Sequence, residues 1–297
     1  MSDVMISPRS RLVNVLRMMA ALVLTGVLSG LGGMLLALLL HKVQHLAYGY
    51  SLDKVISDES FLQGVTQAPP LRRVLALLGA GLIAGLGWYA LYRYGRKLIG
   101  IAAALQAEKP LMPVAETVIH ALLQIITVAL GSPLGREVAP RELGALAASR
   151  LGHWLNLSSP DTRLLIACGA GGGLAAVYNV PLGAALFVLE AMLARFHLKA
   201  TLSALFTCAL AALIARLGLG NEYQYHLNMR LDVSDNLLVW ALLTGPIFGV
   251  AATLFVRITR QARQHAPRHS RIILTKSAQF HPARPAGHHP AAVGRKR

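Results

Sequence analysis

Between Gly131 and Glu190 the chain places acids, glycine clusters and prolines inside otherwise apolar sequence. The first part reads Gly131-Ser132-Pro133-Leu134-Gly135-Arg136-Glu137-Val138-Ala139-Pro140, so Glu137 follows a Gly/Pro breaker and precedes an apolar, small-residue segment. A second cluster, Gly169 to Gly173, lies within another apolar segment, and Asn179-Val180-Pro181 opens a third. Irregular backbone at membrane depth is tolerated only where protein covers it or where it lines a watery cavity. Broken helices whose positive N-terminal ends meet at such a cavity hold anions. An ionisable residue at a break is therefore a functional candidate. Breaks are expected at Gly169, Asn179 and Pro181, with Glu137 as the functional candidate. The alternative is that Glu137 only caps a helix N-terminus near the interface.

Other reactive residue types carry less. Glu116, His120 and Gln124 are spaced four apart and share one face of a helix. That face serves either to relay protons or, as the plainer reading, to let His120 bond a neighbouring helix. Cys168 and Cys208, the two cysteines, both sit in apolar runs and form neither a disulfide framework nor a metal site. No cofactor or metal is expected. Gly131-Ser132-Pro133-Leu134-Gly135 lacks the Gly-x-Ser-x-Gly spacing of a hydrolase elbow, so an enzyme is not expected either.

The elements that must hold these residues are membrane helices. The 297 residues are 55% hydrophobic and only 14% charged, with a mean hydropathy of +0.52; soluble domains carry about a quarter charged residues. Leu12 to Leu40 is long enough to cross, since about 20 apolar residues span the hydrocarbon. Leu71 to Tyr94 is a second span, ending in an aromatic belt at Trp88, Tyr89, Tyr92 and Tyr94. Later segments are uneven: Ile99–Leu105, Val114–Leu134, Gly135–Leu155, Asp161–Val177, Pro181–Phe196, Ala200–Leu217 and Leu237–Ile258, the last with a kink expected at Gly245-Pro246. Such unevenness predicts an all-α, polytopic membrane protein of tilted and broken helices. Arg9, Arg11 and Arg17, together with Arg93, Arg96 and Lys97, put one side in the cytoplasm, against Arg72 and Arg73 on the other. The net charge of +16 lies at segment ends and in the tail rather than on a nucleic-acid-binding face, and no nucleic-acid partner is expected.

The motifs carry a family resemblance. Gly135-Arg136-Glu137 resembles the opening of the Gly-Arg-Glu-Gly-Pro anion filter of the CLC chloride channels and chloride/proton antiporters. Gly169-Ala170-Gly171-Gly172-Gly173-Leu174-Ala175-Ala176-Val177-Tyr178-Asn179-Val180-Pro181-Leu182 resembles that family's Gly-Ala-Ala-Ala-Gly-Leu-Ala-Ala-Ala-Phe-Asn-Ala-Pro-Leu, and Phe187-Val188-Leu189-Glu190 follows at the family's spacing. The resemblance implies a CLC-like first inverted repeat plus one helix over residues 12–260, with a short cytoplasmic segment at 1–11 and a basic, disordered tail at 261–297.

It further implies that Gly135, Arg136, Glu137, Val138 and Ala139 form the anion filter and that Glu137 is its gate. Chloride or a similar small anion is then the partner, within the bilayer of the cell (inner) membrane. Dimers are implied through Pro181 to Leu217, using Gly183, Ala184, Ala185, Ala191 and Ala194. The chain also departs from the family. Val138-Ala139 replaces the filter's Gly-Pro, with Pro140 one place late; Arg96 falls where the family has an anion-binding Ser; and Ala191 stands at the antiporters' inner glutamate. Glu190 matches the preceding glutamate and is read as a structural acid at a helix end. No counterpart of the second repeat is read after Arg260. These departures favour passive conduction by a truncated channel over proton-coupled exchange. The alternative is a non-transporting membrane fragment or assembly subunit.

Overall fold

The computed structural model describes residues 8–51, 61–220 and 234–265. The polar loop 221–233, most of the tail and most of the N-terminal segment lie outside the described residues. Among the described residues there are ten α-helices and no strand, as an all-α membrane protein requires. Four helices are long and apolar enough to cross a membrane: Leu12–Tyr48, Pro70–Tyr94, Leu198–Leu219 and Asp235–Ala262.

The first helix, α1 (Pro8–Tyr48), is 41 residues long, about 60 Å at the α-helical rise. It therefore crosses the 11/12 boundary and absorbs His41 to Tyr48, which hydropathy alone assigns to a polar stretch. Gln44 and His45 are buried in its last turns. Gly49, at φ +79°, ends the helix with its N–H on the His45 carbonyl at 2.7 Å. Arg72 donates Nε and Nη2 to the Ala47 and Leu46 carbonyls, both at 2.8 Å. Arg72 thus satisfies the free carbonyls of α1.

After α2 (Phe61–Gln67), α3 (Pro70–Tyr94) packs on α5 (Val114–Ala129), with the short α4 (Ile101–Gln106) between them in sequence. α6 (Val138–Trp154) and α7 (Ser159–Tyr178) form the centre. Ser158 starts α7 by accepting the Asp161 N–H, and Pro160 occupies its first turn. The Asp161 carboxylate also holds Lys199 of α9 (Leu198–Leu219).

α7 is the axial helix, packed on α1, α6 and α9. Each glycine of its cluster faces a different neighbour. A Cβ at Gly169 would meet the Gly144 carbonyl of α6, one at Gly171 would meet Val188, one at Gly172 Ser29 of α1, and one at Gly173 the Pro140 carbonyl. Small surfaces that let backbones touch are the usual means of helix association in lipid, where water expels nothing. Gly169 is accordingly not a helix break: α7 runs unbroken through it, and its carbonyl accepts the Ser29 hydroxyl at 3.2 Å.

α7 ends where Asn179 turns left-handed (φ 55°), and Pro181 opens α8 (Pro181–Phe187). A π-helical turn, Val188–Leu193, continues α8 and stops at left-handed Ala194. The last helix, α10 (Asp235–His265), remains one helix through Pro246, where the sequence predicts a kink, and runs past the 260/261 boundary. None of the most apolar 18-residue window of α10 is buried by the rest of the described chain.

Candidate functional site

The site lies where the N-terminus of α6 meets the C-terminus of α7. Between Ala129 and Val138 the chain leaves the helix and turns at Gly131 (φ 97°). Residues 138–140 are already helical: Val138 and Ala139 are the first two positions of α6, and Pro140 is the third. Those first positions present amide groups with no intrahelical partner, except that Pro140 has no N–H to offer.

Glu137 takes the capping position, but its backbone is helical (φ −76°, ψ −24°) and its side chain makes no capping hydrogen bond. The simple capping alternative does not describe it. The carboxylate instead folds back over Gly135, where an added Cβ would meet both carboxylate oxygens. A glycine at 135 is what leaves that space. From the end of α7, the Tyr178 hydroxyl donates to Glu137 Oε2 at 3.4 Å.

Two guanidinium groups flank the carboxylate. Arg136 lies with its Cζ 5.1 Å from the Tyr178 ring centroid. Arg141, one turn into α6, has its Cζ 4.7 Å from the Phe187 ring of α8, within Coulombic range of Glu137, and its buried Nε has no partner. A carboxylate, two cations, a hydroxyl and a positive helix end therefore share one partly buried place. That arrangement suits exchange between a carboxylate and a small anion.

The expected site residues thus divide. Gly135, Arg136, Glu137, Val138 and Ala139 come together at the start of α6. Asn179 and Pro181 form the α7–α8 turn, where Asn179 Oδ1 accepts Arg216 Nε of α9 at 2.8 Å. Gly169 lies one glycine crossing deeper, between α6 and α7. Glu190 is exposed in the π-helical turn, with no cation in ion-pair distance among the described residues.

Tyr178, Arg141 and Arg216 were missed by sequence reading. Arg141 stands four residues after Glu137, a spacing that signals contact along a helix. Nothing local marks Tyr178 or Arg216, whose partners come from other helices.

The three polar residues on one face of α5 each bond a different element. Glu116 accepts the Arg96 N–H at 2.9 Å, His120 Nδ1 lies 2.6 Å from Glu142 Oε2 of α6, and Gln124 Nε2 donates to the Gly135 carbonyl at 3.4 Å.

The family model described as "Voltage gated chloride channel" matches residues 80–284, more than half of the chain. The match starts inside α3 and continues past Arg260, so 260/261 does not bound it. A voltage-gated ClC-type chloride channel ClcB of Citrobacter koseri is 30% identical over 203 residues, covering 66% of this chain and 48% of that protein. The protein of the same name from Escherichia coli is 30% identical over 205 residues, with 67% and 48% covered. The chain spans about half the length of the curated relatives it matches. Among solved structures, a slow cyanobacterial Cl-/H+ antiporter superposes with a TM-score of 0.69 at 22% identity, covering 88% of this chain and 62% of that one. A CLC-type fluoride/proton antiporter gives 0.62 at 21% identity, with 87% and 60% covered. These two likenesses are of fold.

Proposed function

This chain belongs to the voltage gated chloride channel family, the CLC family its filter motif resembles, and on that premise we propose that it passes chloride or a similar small anion through the membrane with Glu137 as the gate. One observation carries the reading. The Glu137 carboxylate stands at the N-terminal end of α6, uncapped, over Gly135 and against Tyr178. An anion seeks the same positive end. Charged, the carboxylate holds that place; protonated, it gives up the charge that kept it there, and the anion enters.

Passive conduction is favoured over coupled exchange because Ala191, which cannot hold a proton, stands at the antiporters' inner glutamate. The inner membrane and a homodimer complete the reading. Of the five small residues expected on the dimer face, Ala184 and Ala185 are fully buried within the protomer and leave that face. Gly183, Ala191 and Ala194 are exposed beside Leu182, Leu198 and Leu202. A second reading, a non-transporting membrane fragment or assembly subunit, draws on the uncovered α10 and on the half-length match to the relatives.

Chloride efflux from liposomes carrying the wild type or Glu137→Gln tests the gate. The neutral variant is expected to raise flux or remove its pH dependence. Equal, pH-sensitive flux from both would defeat the assignment. No flux from either protein would favour the second reading.

A further inference from the structure

We propose that His120 and Glu142 form a buried proton-binding site that supplies the proton to Glu137; the inference rests on the gate reading and adds the route to it. His120 Nδ1 and Glu142 Oε2 are 2.6 Å apart between α5 and α6, with only 11% and 9% of their side chains exposed. A buried ion pair stabilises a fold no better, as a rule, than apolar residues of similar volume. Inside a membrane domain such groups mark proton or ion paths.

The pair sits in the middle of a polar line along α5. One helical turn before His120, Glu116 is at the exposed end of the helix and bound to the Arg96 N–H. One turn after it, Gln124 donates to the carbonyl of Gly135, the residue whose Cβ position the Glu137 carboxylate fills. Gln124 Oε1 is buried without a partner, an open acceptor between the pair and the gate. Successive positions four apart bring such side chains within about 5–6 Å at Cβ. The line therefore runs from the aqueous edge to Glu137.

Charged and titratable groups face this path from every element around it. From α6, Arg141 is within Coulombic range of both Glu137 and Glu142. From α3, Tyr92 feels the Glu142 charge and the Trp88 ring meets His120 edge-on at 6.0 Å. From α1, His41 feels Arg136, and from α7, Tyr178 meets Glu137. In the transfer, a proton leaves the His120–Glu142 pair and binds the Glu137 carboxylate. Glu137 becomes neutral, and the pair regains its proton through the Glu116 end. Ala191 has no part in this path, so the gate answers to pH without requiring a fixed proton-to-anion ratio.

The full chain in lipid nanodiscs, followed by infrared difference spectroscopy of the carboxyl region between pH 4 and 9, reads the site without any flux. A carboxyl band that titrates in the wild type should vanish in Glu142→Gln and shift in His120→Gln. Gln at 142 keeps an acceptor for His120, so a mere helix clamp would survive that change. In liposomes, Glu142→Gln should move the midpoint of the flux–pH curve by about one unit, a tenfold change in proton affinity. A band that persists in Glu142→Gln overturns the proposal. So does an unmoved pH midpoint when Glu137→Gln has its full effect. A band lost in Glu142→Gln while Glu137→Gln leaves flux unchanged upholds the proton site and defeats the gate instead.

Discussion

Tyr178→Phe probes the contact that holds the gate. The change removes one oxygen, with its bonds to Glu137 and Arg136, and keeps the ring on which Arg136 lies. It also restores the phenylalanine of the family segment that 169–182 resembles. Hydrogen bonds to a charged acceptor contribute about 1.5–3 kcal/mol. The Tyr178–Glu137 distance of 3.4 Å is long for an O–H donor, so its share is set at about 1 kcal/mol. That is roughly fivefold in the equilibrium between the held and the released carboxylate. With the held form dominant near neutral pH, chloride efflux should rise about fivefold, less than in Glu137→Gln. The double variant decides the cause. If Tyr178 acts through the carboxylate, Tyr178→Phe has no further effect on a Glu137→Gln background, and the two changes are fully coupled. An equal rise on both backgrounds, or a fall in flux, would refute the latch.

Two further predictions concern assembly. Gly144→Val drives a side chain into the Gly169 carbonyl at the α6–α7 crossing, where overpacking costs about 1–3 kcal/mol; thermal unfolding in detergent should show a lower midpoint, and an unchanged one would remove this crossing from the core. A single cysteine at Leu202, exposed on α9, should crosslink to its twin in bilayers at a yield that survives dilution with lipid, whereas one at Leu242 on α10 should not; native Cys168 and Cys208 are buried and leave a low background. Monomers alone at Leu202 would exclude that dimer face.

Legibility in the sequence followed the range of the interaction. Apolar runs and Gly/Pro joints placed most helices within a few residues, because hydrocarbon thickness and the φ limits of proline act locally. The Asn179 turn was readable for the same reason: an asparagine, which tolerates the left-handed turn, with a proline two places on ends one helix and starts the next whatever surrounds it. Gly169 was misread because a glycine cluster signals two things, a break or a close approach, and only the neighbour decides. That neighbour is Gly144, from another helix. The same limit hid Glu142. His120 was singled out on α5 and expected to bond another helix, but its partner could not be named until α5 and α6 were paired. Hydropathy reads His41 to Tyr48 as part of a polar stretch, whereas Gln44 and His45 are covered by protein.

The altered filter has a physical logic of its own. Where the family motif continues with Gly-Pro, this chain has Val138-Ala139-Pro140, so the third helical position offers no amide and the first carries a branched side chain. The amide lost to proline thus moves from the second helical position to the third, and the first position is more crowded than a glycine would leave it. Arg141 adds charge one turn further in: its guanidinium lies against Phe187, near Glu137, with Nε unpartnered. A guanidinium is charged at every pH the protein meets, and away from bulk water its attraction is screened less than that of a surface charge. On the gate reading, the positive end at which Glu137 and an anion would compete is built partly from side chains. Its strength then depends on Phe187 and the Asn179–Pro181 turn, which set where α8 stands and so where Arg141 is held.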